Sequence, residues 1–182
     1  MNRLGWLVSL LVSFATLPAL AQTASIEASS PEMERLAKAF VGDWSNIESM
    51  ERSELFPMGG GRRGVSHWRL TVGGTTLVGE GSSDGSAGPL TYVITIWWDK
   101  TASAYYFFTC FKDRSSACKV RGTAHWEGNN FVNDYVEITH GKQIRWRDSF
   151  VQITSTSYTL VAARDNGDSI MTALITTKAT RR

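Results

Sequence analysis

Three constellations in the chain carry residue types able to do chemistry. Gly81-Ser82-Ser83-Asp84-Gly85 spells Gly-x-Ser-x-Gly, the pattern in which Ser83 would be a hydrolase nucleophile. That role needs the serine on a strand-to-helix elbow beside an oxyanion hole. Gly85-Ser86-Ala87-Gly88-Pro89 follows instead and cannot begin a helix, so the pattern reads as a Gly/Ser surface loop and no catalytic residue is assigned. Gly59-Gly60-Gly61-Arg62-Arg63-Gly64 offers backbone amides and two arginines, as an anion nest would. It lacks the Lys-Ser/Thr ending of a P-loop and reads as a flexible loop. The histidines, His67, His125 and His140, fall on or at the ends of separate predicted strands. With neither His-Glu-x-x-His spacing nor an acidic cluster around any of them, no metal is assigned. Asp148 and Glu80 are candidates for an interior pair with an arginine, or equally for a cross-strand salt bridge. Arg145 and Arg147 fall on one face of their strand, Trp146 and Asp148 on the other.

The aromatic content stands above background. Trp44, Trp68, Trp97, Trp98, Trp126 and Trp146 are joined along the middle of the chain by Tyr92, Tyr105, Tyr106, Phe107, Phe108, Phe111, Phe131 and Tyr135. Large apolar groups with polar tips suit a greasy cavity that orients a ligand, and equally a small core filled by its own rings. Parity and strand position select Trp68, Tyr92, Tyr106, Trp126, Tyr135 and Trp146 as the expected lining. Residues 90–98 and 103–111 carry large apolar groups on both faces. An outer face there needs cover, from the N-terminal helix or from a second copy of the chain in a homodimer. Cys110 and Cys118 flank a polar stretch with a turn signal, which suits a disulfide across a hairpin in an oxidising compartment. Two separate buried thiols are the alternative. Their spacing is not the Cys-x-x-Cys of a redox centre.

The elements that must position these groups are one helix and many strands. Ser30-Pro31-Glu32 has the chemistry of a helix start, and Met33, Leu36, Ala37 and Phe40 recur at helical spacing, so a short amphipathic helix is predicted over 31–40. From Gly42 the period becomes two. Strands are predicted near 43–54, 65–73, 75–82, 90–99, 103–112, 118–127, 130–139, 142–152, 156–164 and 169–178. Gly73-Gly74, Gly128-Asn129, His140-Gly141 and Asn166-Gly167 are hairpin dipeptides. About ten sequential antiparallel strands leave exposed edges unless the sheet closes, so an all-β, antiparallel up-and-down β-barrel is expected. A two-sheet sandwich is the rival. Residues 1–21 read as a signal peptide: Met1-Asn2-Arg3, an apolar run to Leu17, and an Ala-x-Ala site ending at Ala21. Residues 22–30 read as a disordered lead-in and 31–182 as the barrel domain. No other segment is long and apolar enough for a transmembrane helix. In 182 residues, 19 Lys+Arg against 17 Asp+Glu leave a formal charge of +2, too small a surplus to build a nucleic-acid-binding field.

Phe40-Val41-Gly42-Asp43-Trp44, a Gly-x-Trp entering the first strand after a short helix, resembles the start of lipocalin-like (calycin) barrels. Trp98-Asp99-Lys100 before Tyr105, Gly141-Lys142, Arg147-Asp148 and the terminal Thr-Lys-Ala-Thr-Arg run are similar to a bacterial lipocalin-like family of unknown function. The resemblance implies the barrel, with Trp44 closing its bottom against an arginine from a late strand, and no established reaction. By analogy with nitrobindin-like calycins a lone histidine could reach a haem iron, but no cofactor is assigned. The expectation is an exported, periplasmic or secreted, disulfide-bearing barrel that binds a small apolar or amphipathic ligand without converting it. An envelope protein with a filled barrel acting through its surface, or a hydrolase using Ser83, are the alternatives.

Overall fold

A computed structural model describes residues 29–112, 118, 120–139, 141–165 and 167–182. The expected signal peptide, His140, Asn166 and the turn at 113–116 lie outside them. One helix, α1 (Pro31–Phe40), precedes ten strands: β1 (Gly42–Met50), β2 (Gly60–Thr71), β3 (Thr76–Asp84), β4 (Leu90–Asp99), β5 (Ala104–Phe111), β6 (Val120–Glu127), β7 (Asn130–Thr139), β8 (Lys142–Val151), β9 (Ser157–Asp165) and β10 (Met171–Arg181). Each pairs antiparallel with the next, and β10 returns to β1, so the sheet closes into a barrel rather than splitting into a sandwich. Closure gives every strand a hydrogen-bonded neighbour on each side, which is how a long meander limits edge-to-edge association.

Local chemistry accounts for the helix. The Ser30 hydroxyl accepts the Met33 N–H, Pro31 opens the first turn, and Glu32 and Glu34 sit at the positive end of the helix dipole. Its buried face, Met33, Leu36, Ala39 and Phe40, lies against one end of the barrel. There the Phe40 ring meets Trp68, Phe131, Phe150 and Tyr158 at centroid distances of 5.1–5.9 Å. The Tyr105 hydroxyl donates to the Glu32 carbonyl at 2.9 Å, fixing the helix to β5. Beside it Trp44 is wholly buried, donates its indole N–H to the Phe40 carbonyl at 2.8 Å and lies 4.8 Å from Tyr158. The Arg181 guanidinium, from β10, stacks 4.4 Å over the Trp44 ring and donates to the Val41 and Ser155 carbonyls.

Three boundaries differ from the sequence reading. Gly60–Gly64 belongs to β2, so the predicted flexible loop is a strand. A Cβ at Gly61 would stand 2.9 Å from the Glu48 carbonyl, and one at Gly64 2.1 Å from that of Ser82. Those glycines admit close neighbouring strands. β1 stops at Met50, and residues 51–59 fold back as a loop that places Leu55 and Phe56 beside Trp146, Ala162 and Leu174. Ser83 lies on β3 rather than in a surface loop, and no helix follows it. The hairpin glycines Gly73, Gly128, Gly141 and Gly167 have φ of +65°, +63°, +76° and +98°, the left-handed conformation such turns require. Cys110 and Cys118 are joined by a disulfide across the β5–β6 connection.

Candidate functional site

Strand parity decides what faces the interior. From the helix end inward the barrel is filled: Trp68, Ile96, Tyr105, Phe107, Phe131, Phe150 and Tyr158 pack with α1 into one core cluster. Toward the opposite end the facing side chains separate, and an open cavity of about 1530 Å³ (mouth included) remains. Its lower wall is aromatic: Trp68, Tyr92, Phe150 and Tyr158. Two glycines make room for this wall. A Cβ at Gly79 would stand 2.6 Å from the Trp68 ring, and one at Gly81 2.5 Å from the Tyr92 ring. Leu55, Phe56, Leu90, Phe111 and Ile175 stand toward the mouth. On one side the void also reaches Val136 and Ile138, because β6–β7 pairing ends at Gly122–Tyr135 while β7 runs on to Thr139.

Between floor and mouth runs a polar belt of which the sequence reading named only Asp148 and Tyr135 as interior groups. Glu48 and Arg62 face each other across β1–β2 as an ion pair at 3.2 Å, both largely buried. Arg62 also donates to the Ala87 carbonyl at 3.4 Å. Asn46 donates to the Ser66 hydroxyl at 3.0 Å, and Tyr135 donates to Asp148 at 3.3 Å. Thr109, Asn133 and Thr177 complete the belt. Burial pushes the Tyr92 phenol up to about 12; a hydrogen bond with Ser66 opposes this and the charge of Glu48 adds to it. Burial raises Tyr158 as well, with Tyr92 nearby. Both hydroxyls therefore stay protonated near neutral pH. Among the described residues of this belt, Arg62 and Glu48 match each other's charge, and the Asp148 carboxylate accepts from Tyr135. The Oδ1 atoms of Asn46 and Asn133 and the Nε1 of Trp146 are buried without a hydrogen-bond partner.

The structure brings together four of the residues selected for lining: Trp68, Tyr92, Tyr135 and Trp146 all border the cavity. Two are placed elsewhere. Tyr106 is on the outer face of β5, stacked on Trp97 at 6.0 Å, because Tyr105 and Phe107 take the inward parity. Trp126 points inward but at the packed end, against Phe131 at 5.1 Å and beneath the Arg35 guanidinium at 3.9 Å. Glu80 is also outside, paired with Arg69 at 3.2 Å, so it forms no interior pair with Asp148. His67 and His125 are on the outer surface, within 2.8 Å of Asp43 and 2.9 Å of Glu127 respectively. Ser83 borders the cavity on β3 without the elbow a nucleophile needs. The helix packs its apolar face on the barrel end, so the outer aromatic strip on β4 and β5 is not under it, and Trp97 stays 37% exposed. Alternation along β1, β2 and β7 carried the missing signal for the belt, since Asn46, Glu48, Arg62 and Asn133 share the parity of Trp44, Trp68 and Phe131.

No family model matches the chain, and no curated protein matches it. Among solved structures it is similar to the S-type phycobiliprotein lyase CPES from Guillardia theta, at 9% identity over 86% of this chain and 94% of that one, with a TM-score of 0.53. It is also similar to Rv2717c from M. tuberculosis (8% identity, 85% and 99% covered, TM-score 0.48) and to a redesigned β-barrel, mFAP0, bound to DFHBI (13%, 78% and 97%, 0.43). At such identities the likeness shows the fold alone.

Proposed function

We propose that this chain is an exported, lipocalin-like binding protein that takes a small apolar or amphipathic molecule into its barrel and releases it unchanged. The observation that carries this reading is the half-hollow interior, in which a packed floor sealed by α1 ends at an aromatic wall beneath an open mouth. A barrel serving only as a scaffold gains by filling its interior, since close packing adds dispersion contacts and removes apolar surface from water. Binding here works by burial: about 25 cal/mol accrues per Å² of apolar surface removed from water, and no reacting group is needed. Trp68, Tyr92, Tyr135 and Trp146 are the proposed contacts and Trp44 the proposed closing residue. The Cys110–Cys118 disulfide supports an oxidising location, and no described helix is long and apolar enough to cross a membrane.

Native mass spectrometry of the protein purified from its own periplasm or culture medium, disulfide intact, tests the reading. A retained small molecule, released on denaturation, is the expected result. A clean apo mass that no apolar or amphipathic compound shifts would overturn it. A second reading rests on the uncovered Trp97–Tyr106 stack, which would seat another copy of the chain. The same spectra distinguish a homodimer from a monomer.

A further inference from the structure

On the proposed reading of the cavity as a binding site, the open valences of the belt define the chemistry of the ligand's buried end. β7 and β8 place four side chains on one inner face: Asn133 opposite Asp148, and Tyr135 opposite Trp146. In such a quartet each diagonal pair is about 7–8 Å apart between backbones, within reach of long or aromatic side chains. One diagonal is closed, since the Tyr135 hydroxyl donates to Asp148. The other is open. Asn133, 1% exposed, leaves Oδ1 without a partner, and Trp146, 7% exposed, leaves its indole N–H without an acceptor. An acceptor and a donor, both uncharged, thus border the same cavity from adjacent strands. A buried donor or acceptor left bare loses its hydration with nothing in return, so a ligand group that hydrogen-bonds to both is favoured there. Of the charged groups on this part of the wall, Arg62 pairs with Glu48, and the Asp148 carboxylate accepts from Tyr135. A carboxylate head would meet the like charge of Asp148, and an ammonium head would have to draw Asp148 from Tyr135, whereas a neutral head leaves both contacts in place.

We infer that the ligand enters head first, with an uncharged amide-type head whose N–H meets the Asn133 carbonyl and whose C=O accepts from Trp146. Its apolar remainder lies along Leu55, Phe56, Leu90 and Phe111 toward the mouth. Carboxylates and amines with the same tail are the disfavoured ligands.

The test uses the intact oxidised protein, the fluorophore Nile red as an uncharged reporter, and four competitors with one tail: dodecanamide, dodecanoate, dodecylamine and dodecane. Dodecanamide is expected to displace Nile red at about tenfold lower concentration than the other three, the effect of two neutral hydrogen bonds. Asn133→Leu and Trp146→Phe are each expected to bring dodecanamide level with dodecane, the competition being referred to that variant's own Nile red affinity. Displacement by all four within about threefold, or best by either ionised competitor, would overturn the head-group assignment and leave the cavity reading standing. If neither Nile red nor any competitor binds the folded wild-type protein, the cavity reading itself fails, and the assignment with it. Circular dichroism and denaturant titration report that each variant is folded.

Discussion

The Trp68 and Tyr92 rings occupy their places because Gly79 and Gly81 are opposite them, and the same crowding buries the phenols of Tyr92 and Tyr158. A buried phenol resists ionisation because its anion would lose hydration. Tyr92 has a folded-state value raised to about 12 against 10.0 in an unfolded chain, and Tyr158 is raised too. Between those limits the native state holds more protons than the unfolded one, so stability is full below about pH 10 and falls as pH rises. Each pK unit is worth about 1.4 kcal/mol. Alkaline unfolding should therefore be steep above pH 10, and Tyr92→Phe and Tyr158→Phe should each flatten it. Chemical denaturation across that range, with phenolate absorbance read in parallel, checks the slope; an unchanged slope in both variants refutes the assignment. The alternation at Trp68 and Trp146 was legible because His67 and Arg69, and Arg145 and Arg147, mark the opposite face. It failed at Tyr106, where Tyr105, Phe107 and Phe108 leave parity without contrast. Asn46 and Asn133 went unread for a different reason. Polar residues are ordinarily assigned outward, and only the closed register shows these facing a cavity.

Among the elements, α1 was the most legible, because its cap, its proline and its apolar spacing agree. What the sequence could not show is which surface it covers: its stripe fits the barrel end as readily as the outer aromatic face of β4 and β5. Glycine content misled in β2, where Gly60, Gly61 and Gly64 look like a loop. Interstrand closeness demands Gly61 and Gly64, the positive φ of +129° demands Gly60, and the strand they form carries Arg62 to Glu48. The helix as floor has a consequence for mutants. Leu36 is wholly buried in the plug, remote from the mouth, so Leu36→Ala should cost about 2–5 kcal/mol through lost burial and the cavity left behind. The affinity for Nile red should change less than about twofold, since the mouth and polar belt are untouched. Denaturant titration paired with Nile red binding separates the two effects, and equal losses in both would show that floor and cavity are not independent.

At the scale of the whole molecule the barrel is two unlike halves on one continuous sheet. The helix end holds the dense aromatic cluster, and the open end relies on the 51–59 loop and the Cys110–Cys118 bridge. Packing is sparse around the cavity, so the open half should be the first to loosen, as regions with few buried apolar contacts generally are. The bridge ties β5 to β6 near the cavity, and Cys118 itself borders it. By the chain-entropy model a loop this short contributes about 2–3 kcal/mol, or roughly 5–10 °C in Tm for a domain of this size. Reduction, or Cys110→Ser with Cys118→Ser, should produce that loss, and hydrogen exchange should rise first in the ends of β5 and β6 nearest the bridge. Exchange in α1 and in the strand segments around Phe131 and Phe150 should follow only as global stability falls. Exchange that rises uniformly would mean the bridge acts on the unfolded chain alone; exchange confined to the mouth would mean it also shapes the entrance. The second outcome ties redox state to ligand access, so Nile red binding should weaken on reduction while α1 stays protected.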